Sequence, residues 1–262
     1  MLQRCLAAAG STARRAGALL LPFTGRPPAV ETKRTAADLV TTLDRASERL
    51  IYRTLQRAFP AFGFLGEERI RRAGTTATQW VVDPLDGTTN FVHGVPLFAI
   101  SIGLLHGGRP LAGAIYDPVR QELFTAAAGG GAFLNGRRIR VSRAKRLKDA
   151  LLSTGFPPRF RRHREPYLTW FAAFESRCHA VRRLGSTALS LAYVAAGRLD
   201  GFYERELWPW DTAAGLILVT EAGGCVSDLA GRPAACSTGQ LVASNGRIHR
   251  TMLRVLTIPA GK

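Results

Sequence analysis

Residues 81–91, VVDPLDGTTNF, set Asp83 and Asp86 three positions apart where an apolar run breaks, and Gly87, Thr88, Thr89 and Asn90 follow at once. Clustered carboxylates repel each other, and burial worsens the cost unless a proton or a cation neutralises them. Hard divalent cations take such oxygen ligands. Mg²⁺ does so while keeping waters and bonding substrate phosphate oxygens. In a strand that ran on past Asp83 the two side chains would face opposite ways. Pro84 and Gly87 predict instead that the strand ends at Asp83 and turns, so that both carboxylates converge with the Leu85 carbonyl between them. A helix capped by Thr88, Thr89 or Asn90 would then present free N–H groups to an anion. A simple Asp-Gly turn between two strands is the competing reading of this segment.

Further acids stand in comparable places. FLGEER offers adjacent Glu67 and Glu68 after an apolar stretch, and PWDTAAG puts Asp211 at the start of a long apolar helix, where an N-cap is the ordinary role. The five histidines fall in unrelated contexts, and no Ser-His-Asp or Cys-His set accompanies them.

The elements that must position these acids read as follows. An amphipathic helix covers the opening residues, with Leu2, Leu6, Ala9, Ala13, Ala16 and Leu20 at helical spacing, and a second spans 36–59. QWVVD (79–83) is a short buried strand. LFAISIGLL, PLAGAIYD, QELFTAA and GGGAFLNGRRIRVS continue as an antiparallel meander. Beyond residue 148 short strands at 150–155, 179–185, 199–204 and 240–245 alternate with helices at 163–177, 187–197, 210–223 and 246–256, which predicts a smaller mixed or parallel sheet flanked by helices. The expected organisation is an N-terminal α+β half, 1–148, carrying most of the acids, packed as one unit against a C-terminal α/β half, 149–262, carrying Asp211.

With 262 residues, 46% of them hydrophobic, the chain can bury a substantial core. No apolar stretch approaches the roughly 20 residues that cross a bilayer, so a soluble protein is expected. Cys5, Cys178, Cys225 and Cys236 show no CxxC spacing, which fits a reducing compartment, with the cytoplasm as the default. A net charge of +17 would attract anions of any kind, and RRIRVSRAKRLK (137–148) and RFRRHR (159–164) concentrate it. The first run interleaves no aromatic side chain and the second only Phe160, too few to serve as base-stacking platforms, so a solvated basic surface is favoured over a nucleic-acid interface.

Asp38-Leu39-Val40-Thr41 with Asp44, then Gly66-Glu67-Glu68, then Asp83 through Phe91, then Trp210-Asp211 with Gly215, form an ordered set that resembles the motifs of the inositol monophosphatase family. The likeness covers essentially the whole chain. It implies an α/β (α+β) layered sandwich, a homodimer, and lithium-sensitive hydrolysis of phosphate monoesters with two Mg²⁺ ions and a weaker third. By that pattern Glu67, Asp83 and the Leu85 carbonyl hold one ion with Thr88 beside it, and Asp83, Asp86 and Asp211 hold the second. Asp44, with Lys33 nearby, belongs to the third. Glu67 and Thr88 would orient and activate the attacking water, with Asp44 completing the catalytic set. Asp86, Gly87, Thr88, Gly185, Ser186, Thr187, Glu204 and Asp211 would bind substrate. Glu204 resembles the carboxylate that accepts ring-hydroxyl hydrogen bonds, although an exposed strand-end acid is its plain alternative. Thr187 stands where alanine is commoner, and Trp208 replaces a histidine found in some members. Thr89-Asn90 favours the inositol-phosphate branch, so myo-inositol 1-phosphate is the expected substrate. Histidinol phosphate, fructose 1,6-bisphosphate and adenosine 3',5'-bisphosphate are the alternatives, and a nucleic-acid-associated member is a third reading.

Overall fold

The computed structural model describes residues 1–32, 39–157, 160 and 164–258. Lys33, Asp38 and much of the second arginine run, residues 159 and 161–163, lie outside the described residues. Helix α1 (Leu2–Leu20) forms as its spacing predicts, with Cys5, Ala9, Ala13, Ala16 and Leu20 buried along one stripe. Helix α2 (Thr42–Ala58) starts later than expected. The residues before it, β2 (Leu39–Thr41), pair antiparallel with β1 (Val30–Thr32), and Thr41 Oγ1 caps the helix by accepting from the N–H groups of Leu43 and Asp44 at 3.1 and 3.4 Å.

Both helices cover one face of an eight-stranded sheet. Its strands are β3 (Gly63–Gly66), β4 (Arg71–Arg72), β5 (Thr78–Asp86), β6 (Ala99–His106), β7 (Arg109–Asp117), β8 (Glu122–Ala127), β9 (Gly131–Leu134) and β10 (Arg137–Ile139), in the order β10-β9-β8-β7-β6-β5-β3-β4. From β5 to β10 the sheet is the expected antiparallel meander. At the other edge the chain turns from β3 into the antiparallel β4 and then crosses to the far side of β3, so β5 runs parallel to β3. The sheet is therefore mixed rather than antiparallel. This parallel pair matters for the site, because it brings the ends of both strands to one place: Gly66 lies opposite Val82, and the Glu67 N–H donates to the Val82 carbonyl at 3.1 Å.

After the short helix α3 (Thr88–Val92), the second half contributes β11 (Leu151–Thr154), α4 (Tyr167–Glu175), β12 (Ala180–Arg182), α5 (Thr187–Ala195), β13 (Gly201–Arg205), α6 (Pro209–Glu221), β14 (Cys225–Ser227), β15 (Gln240–Ser244) and α7 (His249–Leu256). Its five-stranded sheet has the order β12-β11-β13-β15-β14, parallel around β11 and antiparallel around β15, which is the expected smaller mixed sheet. Strand β14 escaped the sequence reading because three residues carry too little pattern. Helices α5 and α6 fill the space between the two sheets, while α4 and α7 cover the outer face of the smaller one. The layers are thus helix, sheet, helix, sheet, helix. The middle core joins residues from both sides of position 148, with Ile115 and Phe124 packed among Leu191 and Leu218. At Gly103 of β6 an added Cβ would come 2.6 Å from the Ala213 side chain. That close approach seats α6, and with it Asp211, on the large sheet. Among the described residues no helix is long and apolar enough to cross a membrane.

Candidate active site

Asp83 and Asp86 both belong to β5, which does not end at Asp83 as expected. Convergence comes from a bulge: Asp83 pairs with Ser101, whereas Asp86 pairs with Ala99, so three steps on β5 match two on β6. The extra residue restores both side chains to one side of the sheet. The Asp83 carboxylate accepts from the Leu85 N–H at 2.9 Å. Gly87, with φ of 93°, then turns the chain into α3 and is itself the cap residue, in place of Thr88, Thr89 or Asn90. A Cβ there would be strained in conformation and would press to 2.9 Å from the Leu97 carbonyl oxygen, so only glycine suits the position.

The flanking residues are tied together by hydrogen bonds. The Thr88 hydroxyl reaches both the Leu85 carbonyl oxygen at 3.0 Å and Asp44 Oδ1 at 3.1 Å. Asp44 is fixed in turn by Thr41, whose N–H and hydroxyl donate to its other oxygen at 2.8 and 2.6 Å. Asn90, read above as a candidate cap and as part of the resembling motif, donates to the carbonyls of Leu97 and Leu184 at 2.7 and 2.8 Å and so locks α3 to the loop entering α5.

Asp86 stands at the start of α5. It accepts from the Ser186 hydroxyl, from the Ala188 N–H at 2.8 Å and from the Thr187 N–H at 3.3 Å. The Gly185-Ser186-Thr187 turn, which the resemblance implies as substrate-binding, thus packs beside Asp86 through Ser186 and Thr187. Thr187 Oγ1 donates to Glu204 at 3.0 Å, and Gly155 leaves the space that the Glu204 carboxylate occupies. Asp211 sits in the first turn of α6 and accepts from the Trp208 N–H at 2.6 Å. The N-cap position itself is Trp208.

Electrostatics bind the acids into one cluster. Burial first, then the negative charges of Glu67, Asp86 and Asp211, hold the Asp83 carboxyl well above the usual range. Asp211 is raised for the same reasons, burial and then Glu67, against the opposing Trp208 N–H. Asp86 is raised to about 6 by burial, with the Ser186 and Ala188 hydrogen bonds pulling back. Burial raises Glu204 to about 8, against the Thr187 hydrogen bond. Among the described residues no lysine or arginine forms an ion pair with Asp83, Asp86 or Asp211.

Two openings flank this cluster. A cavity of about 690 Å³ contains Asp86, Ser186, Thr187 and Glu204, and its far wall is Phe156 stacked on Phe160 at 4.4 Å with the Arg183 guanidinium 4.2 Å from the Phe156 ring centre. Sequence patterning marked neither Phe156 nor Arg183, and it marked Phe160 only as part of the basic run 159–164. A second cleft of about 380 Å³ opens on Glu67, Glu68 and Trp208. Trp208 is 44% exposed and lies flat against Trp210, ring centres 5.4 Å apart.

Among the described residues no three His, Cys, Asp or Glu side chains close into a cage for an ion by themselves. Mg²⁺ does not need one, since one or two carboxylates plus waters and a substrate phosphate suffice. The donor set fits such an ion: all ligand atoms are hard oxygens, and Asp83 carries a burden of burial and repulsion that a cation would relieve.

The model of the inositol monophosphatase family matches residues 1–257. An inositol-1-monophosphatase of Mesorhizobium japonicum is 48% identical over 223 residues, 85% of this chain and 84% of that protein. The Nus factor SuhB of Escherichia coli (strain K12) is 46% identical over 243 residues, 92% of this chain and 91% of that protein. Among solved structures, an inositol monophosphatase from Anabaena (Nostoc) sp. PCC 7120 superposes with a TM-score of 0.89 at 41% identity, covering 97% of this chain and 96% of that one.

Proposed function

The chain belongs to the inositol monophosphatase family and is a phosphatase, and on that premise we propose that it hydrolyses myo-inositol 1-phosphate to inositol and phosphate with Mg²⁺, two or three ions per site. The observation that carries this reading is Asp83, raised first by its burial and then by Glu67, Asp86 and Asp211, beside a cavity that ends in Glu204. Glu67, Asp83, Asp86, Asp211 and the Leu85 carbonyl would hold the ions, with Asp44 near the third. Bound divalent cations would supply the positive charge that phosphoryl transfer demands.

The chain's own groups do the rest. Thr88 gives its hydroxyl hydrogen to Asp44 or to the Leu85 carbonyl, which leaves its oxygen lone pairs to accept from a water. Glu67 takes the proton of that water as it attacks phosphorus, the ester P–O bond breaks, and the alcohol oxygen leaves with a proton taken from solvent. The segment Asp86-Gly87-Thr88 and the Gly185-Ser186-Thr187 turn bracket the phosphate and the alcohol oxygen it leaves. Glu204, steadied by Thr187, faces the ring hydroxyls. The homodimer, the lithium sensitivity and a cytoplasmic location belong to the same proposal.

The test of substrate class is Glu204→Gln against two substrates. Inositol-phosphate turnover should fall by about 1 to 3 kcal/mol in kcat/KM, because a hydrogen-bond partner matched to the ring is altered. Glycerol phosphate, which lacks the ring, should lose much less. Equal losses would assign Glu204 to the carboxylate cluster instead and would leave the bisphosphates and histidinol phosphate as substrates to try. A second reading, association with nucleic acid, is supported by the name Nus factor SuhB that a relative carries and by the exposed basic residues of segment 137–148. A salt-dependent gel shift tests it.

A further inference from the structure

Helix α2 carries a buried polar stripe inside an apolar face. Asp44, Ser47 and Glu48 are each 1% exposed or less, in line with buried Ile51 and Leu55 one and two turns on. A carboxylate on such a face is costly unless it is fully hydrogen-bonded. Glu48 is: Oε1 accepts from the Glu68 N–H at 3.0 Å, and Oε2 accepts from the N–H groups of Arg69 and Ile70 at 3.1 and 3.2 Å. Three successive backbone donors thus form a concave anion nest that is filled by a side chain from another element. Gly66 is part of the same device, because a Cβ there would overlap the Glu48 carboxylate.

The nest is the turn that follows Glu67. Its other tethers are the bond from the Glu67 N–H to the Val82 carbonyl and that from the Gly66 N–H to the Ile70 carbonyl at 2.9 Å. One residue earlier on α2, the Ser47 hydroxyl donates to the Pro84 carbonyl at 2.9 Å. Pro84 lies between Asp83 and Leu85, inside the β5 bulge. Adjacent residues of one rigid helix therefore grip the two backbone segments from which Glu67, Asp83 and the Leu85 carbonyl project.

We propose that Glu48 and Ser47 are positioning residues: through the 68–70 turn and the Pro84 carbonyl they set the separation of Glu67 from Asp83 and Leu85, and hence the affinity of the site for a divalent cation. This rests on the cation-dependent phosphatase reading above. Neither residue is among the groups proposed above to hold cation or substrate, and the side chains of both bond backbone groups. Each acts by holding backbone, as outer-shell partners of metal ligands do, and losing such partners typically costs ten- to a hundredfold in affinity or activity.

Glu48→Gln and Ser47→Ala are compared with Ile51→Val, which trims the same face of α2 one turn away without touching either segment. Mg²⁺ affinity is measured by calorimetry on chelated protein without substrate, beside kcat, KM and the melting temperature. Glu48→Gln should weaken Mg²⁺ binding and lower kcat by about ten- to a hundredfold, with KM for the phosphate ester moving less than about threefold. Ser47→Ala, which removes one hydroxyl and leaves the packing in place, should weaken Mg²⁺ binding by about three- to tenfold. Ile51→Val should lower the melting temperature and leave Mg²⁺ affinity and kcat unchanged. A Glu48→Gln protein that melts earlier yet binds Mg²⁺ and turns over like wild type would overturn the proposal. If Glu48→Gln does not fold, wild-type Mg²⁺ affinity in Ser47→Ala overturns it. Wild-type protein that binds Mg²⁺ but releases no phosphate would refute the enzymatic reading only, since the binding constants still report positioning, and wild-type protein that binds no Mg²⁺ would refute both.

Discussion

Replacing Glu204 by glutamine should stabilise the metal-free protein, and increasingly so as pH rises. Burial holds this carboxyl at about 8 instead of its ordinary 4.5. Between those values the folded chain keeps a proton that the unfolded chain releases, so the free energy of unfolding falls as pH rises. Without solvent access the penalty on wild type would be about 3 kcal/mol at pH 7 and about 5 kcal/mol at pH 9, at 1.36 kcal/mol per pH unit. Glu204 is only partly buried, so water entering from the cavity makes these two figures upper bounds, with the sign of the pH dependence unchanged. Glutamine has no proton to lose and still meets the Thr187 hydroxyl. For a chain of this length 1 kcal/mol moves the melting temperature by about 2 °C. Calorimetric scans in chelator should therefore show Glu204→Gln melting above wild type by no more than about 6 °C at pH 7 and about 10 °C at pH 9, with the gap widening from a meeting point near pH 4.5. A constant offset across that range, or a variant less stable at pH 9, would show that the Glu204 carboxyl ionises normally in the fold and would refute the reasoning. A fold that tolerates this penalty holds a carboxyl for function at the expense of stability.

Mg²⁺ at about a hundred times its dissociation constant should raise the wild-type melting temperature by about 5 °C, through relief of the repulsion centred on Asp83, and Asp86→Asn should lose most of that shift. Equal shifts in both proteins would indicate non-specific ion effects. Li⁺ should inhibit phosphate release uncompetitively or in mixed fashion in a steady-state assay at saturating Mg²⁺. Full activity at high Li⁺ with Mg²⁺ dependence intact would place the protein in a lithium-resistant branch.

The acids themselves were legible in the sequence because their chemistry is local: Asp83, Asp86 and the glycine turn after them sit in one contiguous stretch, and α1 and α5 through α7 follow from apolar spacing. What brings the acids together was less legible. The parallel pairing of β3 with β5 depends on a crossover between segments whose own patterns are four and nine residues long. The bulge after Asp83 is a register offset against β6, and no residue type announces it. Glu48 left a faint signal, an acid four residues after Asp44 on a face otherwise marked by Leu43, Ile51 and Leu55. It reads as an ordinary helix charge until the 68–70 turn is seen folded over it. The wall of Phe156, Phe160 and Arg183 was not legible, since Phe156 and Arg183 are unremarkable in their segments and Phe160 reads only as part of the basic run 159–164.

The central claim is that Asp83 joins the acids into a cation-dependent phosphatase site. Its most direct test is steady-state phosphate release from myo-inositol 1-phosphate by wild type and Asp83→Asn, each with Mg²⁺ and in chelator, with circular dichroism confirming the fold of both. Wild type should turn over only with Mg²⁺, and Asp83→Asn should be slower by about a thousandfold or more, equivalent to several kcal/mol of lost charge stabilisation. Near-wild-type turnover by folded Asp83→Asn, or Mg²⁺-independent release by wild type, would contradict the account.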